Sequence, residues 1–208
     1  MLAGNWQARR AEAKRALGAE FEQALRAAPI ELPAASSVIH KRVAARGRFV
    51  AERTVLLDNK LRRGRAGYEV VTPLRLTGSD WHVLVNRGWV AAPASRDRLP
   101  EIRTPAAEQR IEGIALERLP HALQAGAAAP GKVRQNLEIG AFAAETGLRL
   151  QPLVIEQHSE TDDGLARDWP RPDVGIERHE SYALQWYSFA ALAIALLAVL
   201  SLRRVGAP

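Results

Sequence analysis

The pattern of apolar and polar residues changes twice along the chain. From Asn5 to Ala28, apolar residues recur at helical spacing between arginine and glutamate, which predicts an amphipathic helix capped by Asn5 and stopped by Pro29. From 37 to 157, short runs of β-branched, leucine and aromatic residues alternate with turn residues, as in antiparallel strands. The predicted strands cover 38–43, 47–57, 68–76, 82–90, 109–118 and 150–156. Strands at this spacing predict a sheet curled into a small barrel.

The segments between these runs carry local signals of their own. Gly78-Ser79-Asp80 predicts a hairpin turn, and Asp58-Asn59 opens a basic loop that runs to Gly67. Residues 138–146 predict a short helix that ends at Gly147. The stretch 159–176, with its prolines and acidic residues, predicts an irregular linker.

The C-terminal part is the longest uncharged segment of the chain. Ser181 to Leu202 is 22 residues without a charge, with aromatic residues at one end and Arg203-Arg204 at the other. At roughly 1.5 Å per residue this helix would span a bilayer core of about 30 Å. The segment therefore predicts a transmembrane helix, with a buried core helix as the alternative. By the positive-inside rule, the C-terminus would be cytoplasmic and the body of the protein periplasmic in a bacterium.

These elements predict an α+β membrane protein. It has a small antiparallel β-barrel-like domain, an N-terminal helix and a C-terminal transmembrane helix. The predicted domains are an N-terminal helix at 1–29, a β-rich extracytoplasmic domain at 36–158, a linker at 159–178, and a transmembrane helix at 179–204.

Composition excludes several kinds of chemistry. The chain has 208 residues, 47% of them hydrophobic, and no cysteine, which excludes disulfides, zinc-thiolate sites, iron–sulfur ligation and cysteine catalysis. The net charge is +6, but the 29 lysines and arginines are dispersed and no nucleic-acid-binding motif is present. We therefore expect attraction to anionic lipid headgroups rather than to nucleic acid.

Catalytic motifs are missing from the sequence. It contains no Gly-rich phosphate loop, no G-x-S-x-G and no H-E-x-x-H, so an enzyme is not predicted. The five histidines have no metal-ligand spacing among them. His158, Glu160, Asp162 and Asp163 form one candidate metal cluster, for which a solvated loop is the favoured interpretation, because nothing rigid in the sequence would hold those side chains together.

His179 lies just outside the uncharged segment. On a helix, positions 179, 182, 183 and 186 fall on one stripe, so the imidazole lies near the rings of Tyr182 and Trp186 at interface depth. An ionisable group at this depth is a functional candidate. The alternative is an interfacial histidine that only hydrogen-bonds lipid or water.

Four motifs carry a resemblance to a known family. The motif H-x-x-Y-A-x-Q-W begins at His179, and G-N-W-Q begins at Gly4 and is followed by Arg10 and Lys14. Thr72-Pro73-Leu74 precedes L-V-N-R-G-W-V at 84–90, and Gln135-Asn136-Leu137 and Trp169 follow as weaker landmarks. In this order they resemble the Surfeit locus protein 1 family, in its bacterial form. The family is linked to assembly of haem-copper cytochrome c oxidase.

The chain departs from the family pattern in two places. Family members carry a first transmembrane helix before the W-Q motif, where this chain has only Met1 to Ala3. Either a first span lies upstream of Met1 or this member has one span. Arg134 also stands where the family often has an aromatic residue.

The resemblance implies a function and site residues. His179 would ligate the iron of haem a, and Tyr182 and Trp186 would pack against the macrocycle. The resemblance marks Asn86-Arg87-Gly88-Trp89 as diagnostic without assigning it chemistry. From its bidentate guanidinium alone, Arg87 is a candidate to pair with a haem propionate or a partner's carboxylate. The favoured interpretation is structural, with Gly88 permitting a bulge or a close backbone approach and Trp89 filling the core.

Partners and location follow from the same resemblance. The implied partners are subunit I of the oxidase and the haem a synthesis machinery, at the bacterial inner membrane. The alternatives are a scaffold that stabilises an assembly intermediate without binding haem, and, least favoured, an enzyme of haem synthesis.

Overall fold

The computed structural model describes residues 2–32, 38–95, 98–120, 131–170 and 176–205, with side chains in the last helix described for 181–197. The chain divides into two compact units. One unit is Gln23–Trp169 and contains the sheet. The other combines Met1–Glu22 with Pro170–Pro208 and contains two long helices.

The described elements alternate short strands with three helices. The helices are α1 Leu2–Arg26, α2 Ile139–Thr146 and α3 Ile176–Val205. A single turn of 3₁₀-helix covers Ala51–Arg53. The strands are β1 Ile30–Glu31, β2 Arg42–Phe49, β3 Val55–Arg62, β4 Arg65–Leu76, β5 Trp81–Ala91, β6 Gln109–Leu116, β7 Val133–Arg134 and β8 Arg149–Gln157.

Five strands close into a barrel. The sheet order is β1-β2-β6-β8-β5-β4-β3-β7, and β2 also pairs with β4, which joins the two ends of the β2-β6-β8-β5-β4 series. The barrel is therefore present, but the prediction of an antiparallel sheet is wrong at one seam, because β5 and β8 run parallel. Parallel neighbours need a long crossover connection, and here it contains β6, β7 and α2.

The barrel interior is filled by alternate residues of all five barrel strands. They form one buried cluster of Val43, Ala45, Leu74, Leu76, Val83, Val85, Ile111, Ala115, Leu153 and Ile155. Because successive side chains of a strand point to opposite faces, residues two positions apart share the inner face. A second cluster joins residues of β3, β4, β5 and β8 to Phe142 of α2 and to Leu119 and Leu137. β4, β5 and β8 are therefore buried on both faces along much of their length.

Gly113 and Gly47 permit the closest approaches between strands. A Cβ atom at Gly113 would overlap the carbonyl oxygen of Glu156, and one at Gly47 would overlap the carbonyl oxygen of Arg75. Gly47 lies where β2 leaves β6 and joins β4. Glycine at such positions lets a small sheet bend sharply enough to close.

Several predicted boundaries are wrong in the N-terminal half. The predicted strand 47–57 is interrupted, because β2 ends at Phe49 and β3 begins at Val55 after the turn of 3₁₀-helix. The predicted loop 58–67 is instead a hairpin, whose turn is Arg63-Gly64 with φ of 49° and 76°. The predicted strand 38–43 contains a turn at His40, and α1 begins at Leu2, so Asn5 is inside the helix rather than its cap.

Local turn signals are confirmed where glycine ends an element. The helix predicted at 138–146 is α2, and Gly147 ends it in the left-handed conformation with φ of 70°. The hairpin predicted at Gly78-Ser79-Asp80 joins β4 to β5, with Gly78 at φ of 73°. Both glycines occupy a backbone region that side chains disfavour.

The segment 159–169 packs onto the barrel. The amide of Trp89 donates to the carbonyl of Ala166 at 2.7 Å, and the amide of Ala166 donates back to Trp89 at 2.8 Å. The residues predicted to begin an irregular linker therefore add a short bridge to the end of β5. The domain boundaries themselves stay a prediction.

The predicted transmembrane span at 179–204 is wrong. The segment is helical, as α3, but no helix in the described part of the chain combines the length and apolar character needed to cross a membrane. The physical reason lies in the first third of the predicted span. Ser181, Gln185, Tyr187 and Ser188 carry polar groups there, so the uninterrupted apolar run begins only at Phe189.

The two long helices share one unit. The hydroxyl of Tyr187 on α3 donates to the side-chain oxygen of Asn5 on α1 at 2.8 Å. Ala11 and Gly18, two turns apart on α1, are buried, as is Ala183 on α3. Small side chains at these positions allow close approach of a neighbouring backbone.

Candidate functional site

The aromatic residues of α3 face outwards. Tyr182 and Trp186 are 47% and 48% exposed and lie four residues apart on one side of the helix. The ring of Trp186 also meets Phe189 edge-on, with 6.3 Å between centroids. Ala183, which the predicted stripe included, is buried instead. The helix position of His179 is one turn before Tyr182, and its side chain is outside the described residues.

The apolar surface of α3 continues beyond the aromatic residues. The exposed aliphatic side chains between 181 and 197, each more than half exposed, are Leu184, Leu192, Ile194, Leu196 and Leu197. No charged residue interrupts this stretch. Contiguous exposed apolar surface marks a site of interaction rather than a stable surface in water. This part of α3 can accept a flat apolar ligand or the apolar surface of another protein.

Arg87 lies at a bulge in β5. The register between β4 and β5 shifts so that Val70 pairs with Gly88 and Val71 with Asn86, which leaves Arg87 as the extra residue. Gly88 has φ of 143°, and a Cβ there would lie 2.8 Å from the carbonyl oxygen of Ala166. The bulge predicted at Gly88 is confirmed, and it is also where the 159–169 segment approaches the strand.

The Arg87 side chain is completely buried. Its guanidinium donates to the Thr104 hydroxyl at 2.7 Å, to the Arg103 carbonyl at 2.7 Å and to the Asp163 carboxylate at 2.9 Å. It also stacks 4.7 Å from the ring centre of Phe49. These contacts tie two surface segments to the bulge.

Charge balance keeps this ion pair together. Burial lowers the pKa of the Arg87 guanidinium, while the hydrogen bond and charge of Asp163 oppose the shift. Arg167 donates to both oxygens of the same carboxylate, at 2.8 and 2.9 Å. A haem propionate or a partner's carboxylate would have to displace Asp163 to reach Arg87. The geometry therefore favours the structural role for this residue.

A second buried network was not predicted from the sequence. The Glu69 carboxylate accepts from Arg62 at 3.2 Å and from Asn86 at 3.1 Å, with the Lys60 ammonium at 3.8 Å. Arg62 also stacks on the ring of Trp169, 5.3 Å from its centre. The residues come from three distant segments, so local spacing could not predict that they form a network. Only Asn86 and Trp169 had been noticed, as residues of the family motifs.

Trp89 does not fill the core, contrary to the prediction. It is partly exposed, and its indole nitrogen donates to the carbonyl of Lys60 at 2.8 Å. A Cβ at Gly67 would overlap its ring, so the indole lies flat over that glycine. The residue forms part of the outer wall of the barrel.

The acidic segment does not form a metal site. Among the described residues, no group of three or more histidine, cysteine or acidic side chains could hold a metal ion. Asp162 is exposed, as expected for a solvated loop, and pairs with Arg103 at 3.1 Å. Asp163 is buried against Arg87, so the solvated-loop interpretation is wrong for that residue.

His82 gives the barrel a pH dependence. Burial lowers its pKa below the ordinary value of 6.5, with hydrogen bonding to the Arg149 backbone opposing the shift. Below about pH 6.5 the unfolded chain therefore binds more protons than the folded one, so stability is fully present above that pH and falls as the pH falls.

We expect the urea midpoint of the wild type to drop between about pH 7.5 and about pH 5.5 by more than that of His82→Gln, which has no titrating group there. The comparison uses the difference between the two pH values, so a uniform destabilisation of the variant does not affect it. Equal drops in both proteins would contradict the assignment to His82.

The described structure combines a small closed barrel, two internal ion-pair networks and a helix with exposed aromatic residues. Comparison with known proteins identifies the family. The profile of the SURF1 family matches residues 1–191. A "SURF1-like protein" of Monosiga brevicollis is 27% identical over 219 aligned positions, covering 93% of this chain and 80% of that protein. The chain belongs to the SURF1 family, whose members are assembly factors associated with cytochrome oxidase rather than a catalytic family.

Proposed function

We propose that this chain binds haem a and aids its insertion into subunit I of haem-copper cytochrome c oxidase. Membership of a family associated with oxidase assembly supports a role in that assembly. The observation that carries the proposal of haem binding is the outward exposure of Tyr182 and Trp186 on one side of α3, beginning one turn after His179.

These residue types fit a haem. Neutral imidazole is a common axial ligand of haem iron, which is a role for His179. The macrocycle is flat and largely apolar, and the rings of Tyr182 and Trp186 offer it an apolar surface with polar atoms at the edge. A single histidine suits a carrier, since a carrier must release what it holds. When bound, the haem would supply the iron that His179 would hold until the haem is released.

A scaffold without haem is the second candidate. The exposed aliphatic residues of α3 extend past the aromatic pair to Leu196 and Leu197, which are 53% and 70% exposed. This surface is longer than two rings and one imidazole require, and it suits a partner protein such as subunit I or the haem a synthesis machinery. In either case we place the chain at the bacterial inner membrane, where those partners would work.

His179→Ala tests the choice between them. Full-length protein would be purified from cells that make haem a, and its haem content measured by absorption spectroscopy. We expect the variant to retain at most about one tenth of the wild-type haem, because it loses the iron ligand. Oxidase activity in the same cells should fall with it.

His158→Ala is the matched control. This histidine contacts Glu156 at 3.1 Å in the barrel unit and should affect neither haem content nor oxidase activity. Circular dichroism of both variants would show that the helices are kept. Full haem occupancy in His179→Ala would reject the ligand assignment. Reduced oxidase assembly with unchanged haem would favour the scaffold.

A further inference from the structure

An arginine-rich cavity lies on the barrel. Its volume is about 310 Å³, and its charged and aromatic lining consists of Arg62, Arg63, Arg65, Trp89, Arg167 and Asp168. All of these residues belong to the unit Gln23–Trp169. The cavity is within the size range of small-ligand sites.

The cavity lining carries more positive than negative charge. Four guanidinium groups face one carboxylate, that of Asp168. Arg62 pairs with Glu69, Arg63 with Asp168 and Arg167 with Asp163. Within the described part of the chain, Arg65 makes no side-chain hydrogen bond or ion pair. Arg65 is therefore the lining arginine whose positive charge no carboxylate of the described residues compensates.

Arg65 is held next to another positive charge. In the β3–β4 hairpin it lies directly opposite Arg62, so the two side chains emerge on the same face. Because Arg62 is paired with Glu69, Arg65 carries the uncompensated charge of this cross-strand pair. An anion in the cavity would compensate it.

Arg167 adds a donor with no partner. Its side chain is 8% exposed, and its Nε atom is buried without a hydrogen-bond acceptor. A buried donor without a partner is unfavourable, and Arg167 is one of the residues that line the cavity. The Trp89 indole, fixed by its hydrogen bond to Lys60, forms a rigid wall beside it.

A second cavity on the barrel also contains paired arginines but has no excess positive charge. About 430 Å³ in volume, it also contains a cross-strand arginine pair, Arg48 and Arg75. There, two carboxylates, those of Asp80 and Glu108, balance the two arginines, and Arg75 pairs with Asp80 at 3.2 Å. This second cavity therefore has no excess positive charge to attract an anion.

We infer that the cavity around Arg65 and Arg167 binds a phosphate group. Its guanidinium groups come from the end of β3, the start of β4 and the 166–168 segment. Donors from three segments suit an oxyanion with acceptors in several directions, which favours phosphate over a planar carboxylate. The phosphate belongs either to a free phosphate compound or to a lipid headgroup.

The test uses the full-length protein and two probes. Inorganic pyrophosphate is titrated calorimetrically at low ionic strength, with acetate at the same ionic strength as the carboxylate comparison. Sedimentation with phosphatidylcholine vesicles, with and without phosphatidic acid, tests the headgroup. Arg65→Ala is the diagnostic variant, since Arg65 is exposed and makes no contact that the fold needs. Arg48→Ala is the matched control, an exposed strand arginine at the neutral cavity.

We expect Arg65→Ala to weaken phosphate binding about tenfold while Arg48→Ala changes it less than twofold. If only pyrophosphate binds in a way that depends on Arg65, the ligand is a free phosphate compound. If vesicles with phosphatidic acid bind in that way, the ligand is a lipid headgroup. Three results would overturn the proposal: no binding of either probe, equal losses in the two variants, or acetate binding as tight as pyrophosphate.

Discussion

Arg87→Met is expected to lower the free energy of unfolding by about 3–5 kcal/mol, because it leaves the Asp163 carboxylate buried with part of its charge uncompensated. The same change removes the donors to the Thr104 hydroxyl and to the Arg103 carbonyl, so the 98–104 segment loses two of its hydrogen bonds to the barrel. Urea unfolding of the full-length chain, followed by tryptophan fluorescence, would measure the loss. Trp89 is two residues from Arg87 and pairs through its backbone with Ala166, next to Arg167.

Two comparisons separate burial from charge in this experiment. Arg75→Met breaks an ion pair whose partners are 61% and 76% exposed, and it should cost about 1 kcal/mol or less. Asp163→Asn combined with Arg87→Met should cost less than the sum of the two single changes, because the double variant has neither buried charge of the pair. A loss below 1 kcal/mol for Arg87→Met alone would show that the buried pair contributes little to stability.

Gly113→Ala is expected to destabilise the barrel by about 3 kcal/mol. The added methyl group would overlap the carbonyl oxygen of Glu156, which the backbone of β8 fixes, and would crowd the side chain of Ile155, which is packed in the buried core. Relief would require β6 and β8 to separate at this point. Thermal and urea unfolding would both report the change.

Gly140→Ala provides the control with the opposite sign. Gly140 lies on the exposed side of α2, and a Cβ there would meet nothing within 4 Å. Alanine is the better helix former, so this change should stabilise by about 0.5–1 kcal/mol. If Gly113→Ala and Gly140→Ala had the same effect, the steric account of barrel closure would be wrong.

Local signals were enough to predict part of the fold. The helix ended by Gly147 and the hairpin at Gly78 were found because each depends on a glycine in a left-handed conformation next to a clear apolar pattern. The strands β4 and β5 were found because each is a short run rich in valine, leucine and aromatic residues, and in β5 the residues from Val83 to Trp89 also alternate. The barrel itself was predictable only as a class, since strand order and the parallel β5–β8 seam depend on distant parts of the chain.

Other features depended on long-range contacts. Asp58 and Asn59 favour turns locally, yet a bulge with Asn59 at φ of 61° lets β3 continue through them. Asp163 appeared solvated because its partner, Arg87, is 76 residues away. For the candidate site, the helical stripe predicted that Tyr182 and Trp186 lie together, but it could not show that Ala183 is buried. The membrane span was predicted from the absence of charge, which overstates apolar character where serine, glutamine and tyrosine are frequent.

The parallel seam of the barrel sets an order of events during synthesis. Trp81 of β5 pairs with Arg149 of β8, which is 68 residues later in the chain (149 − 81). Until β8 leaves the ribosome, β5 and β6 both present unpaired strand edges, and the ring cannot close. Closure therefore follows synthesis of most of the chain, and the high mean sequence separation of its contacts places the barrel among slowly folding topologies. During that interval the unpaired edges of β5 and β6 can pair with other chains.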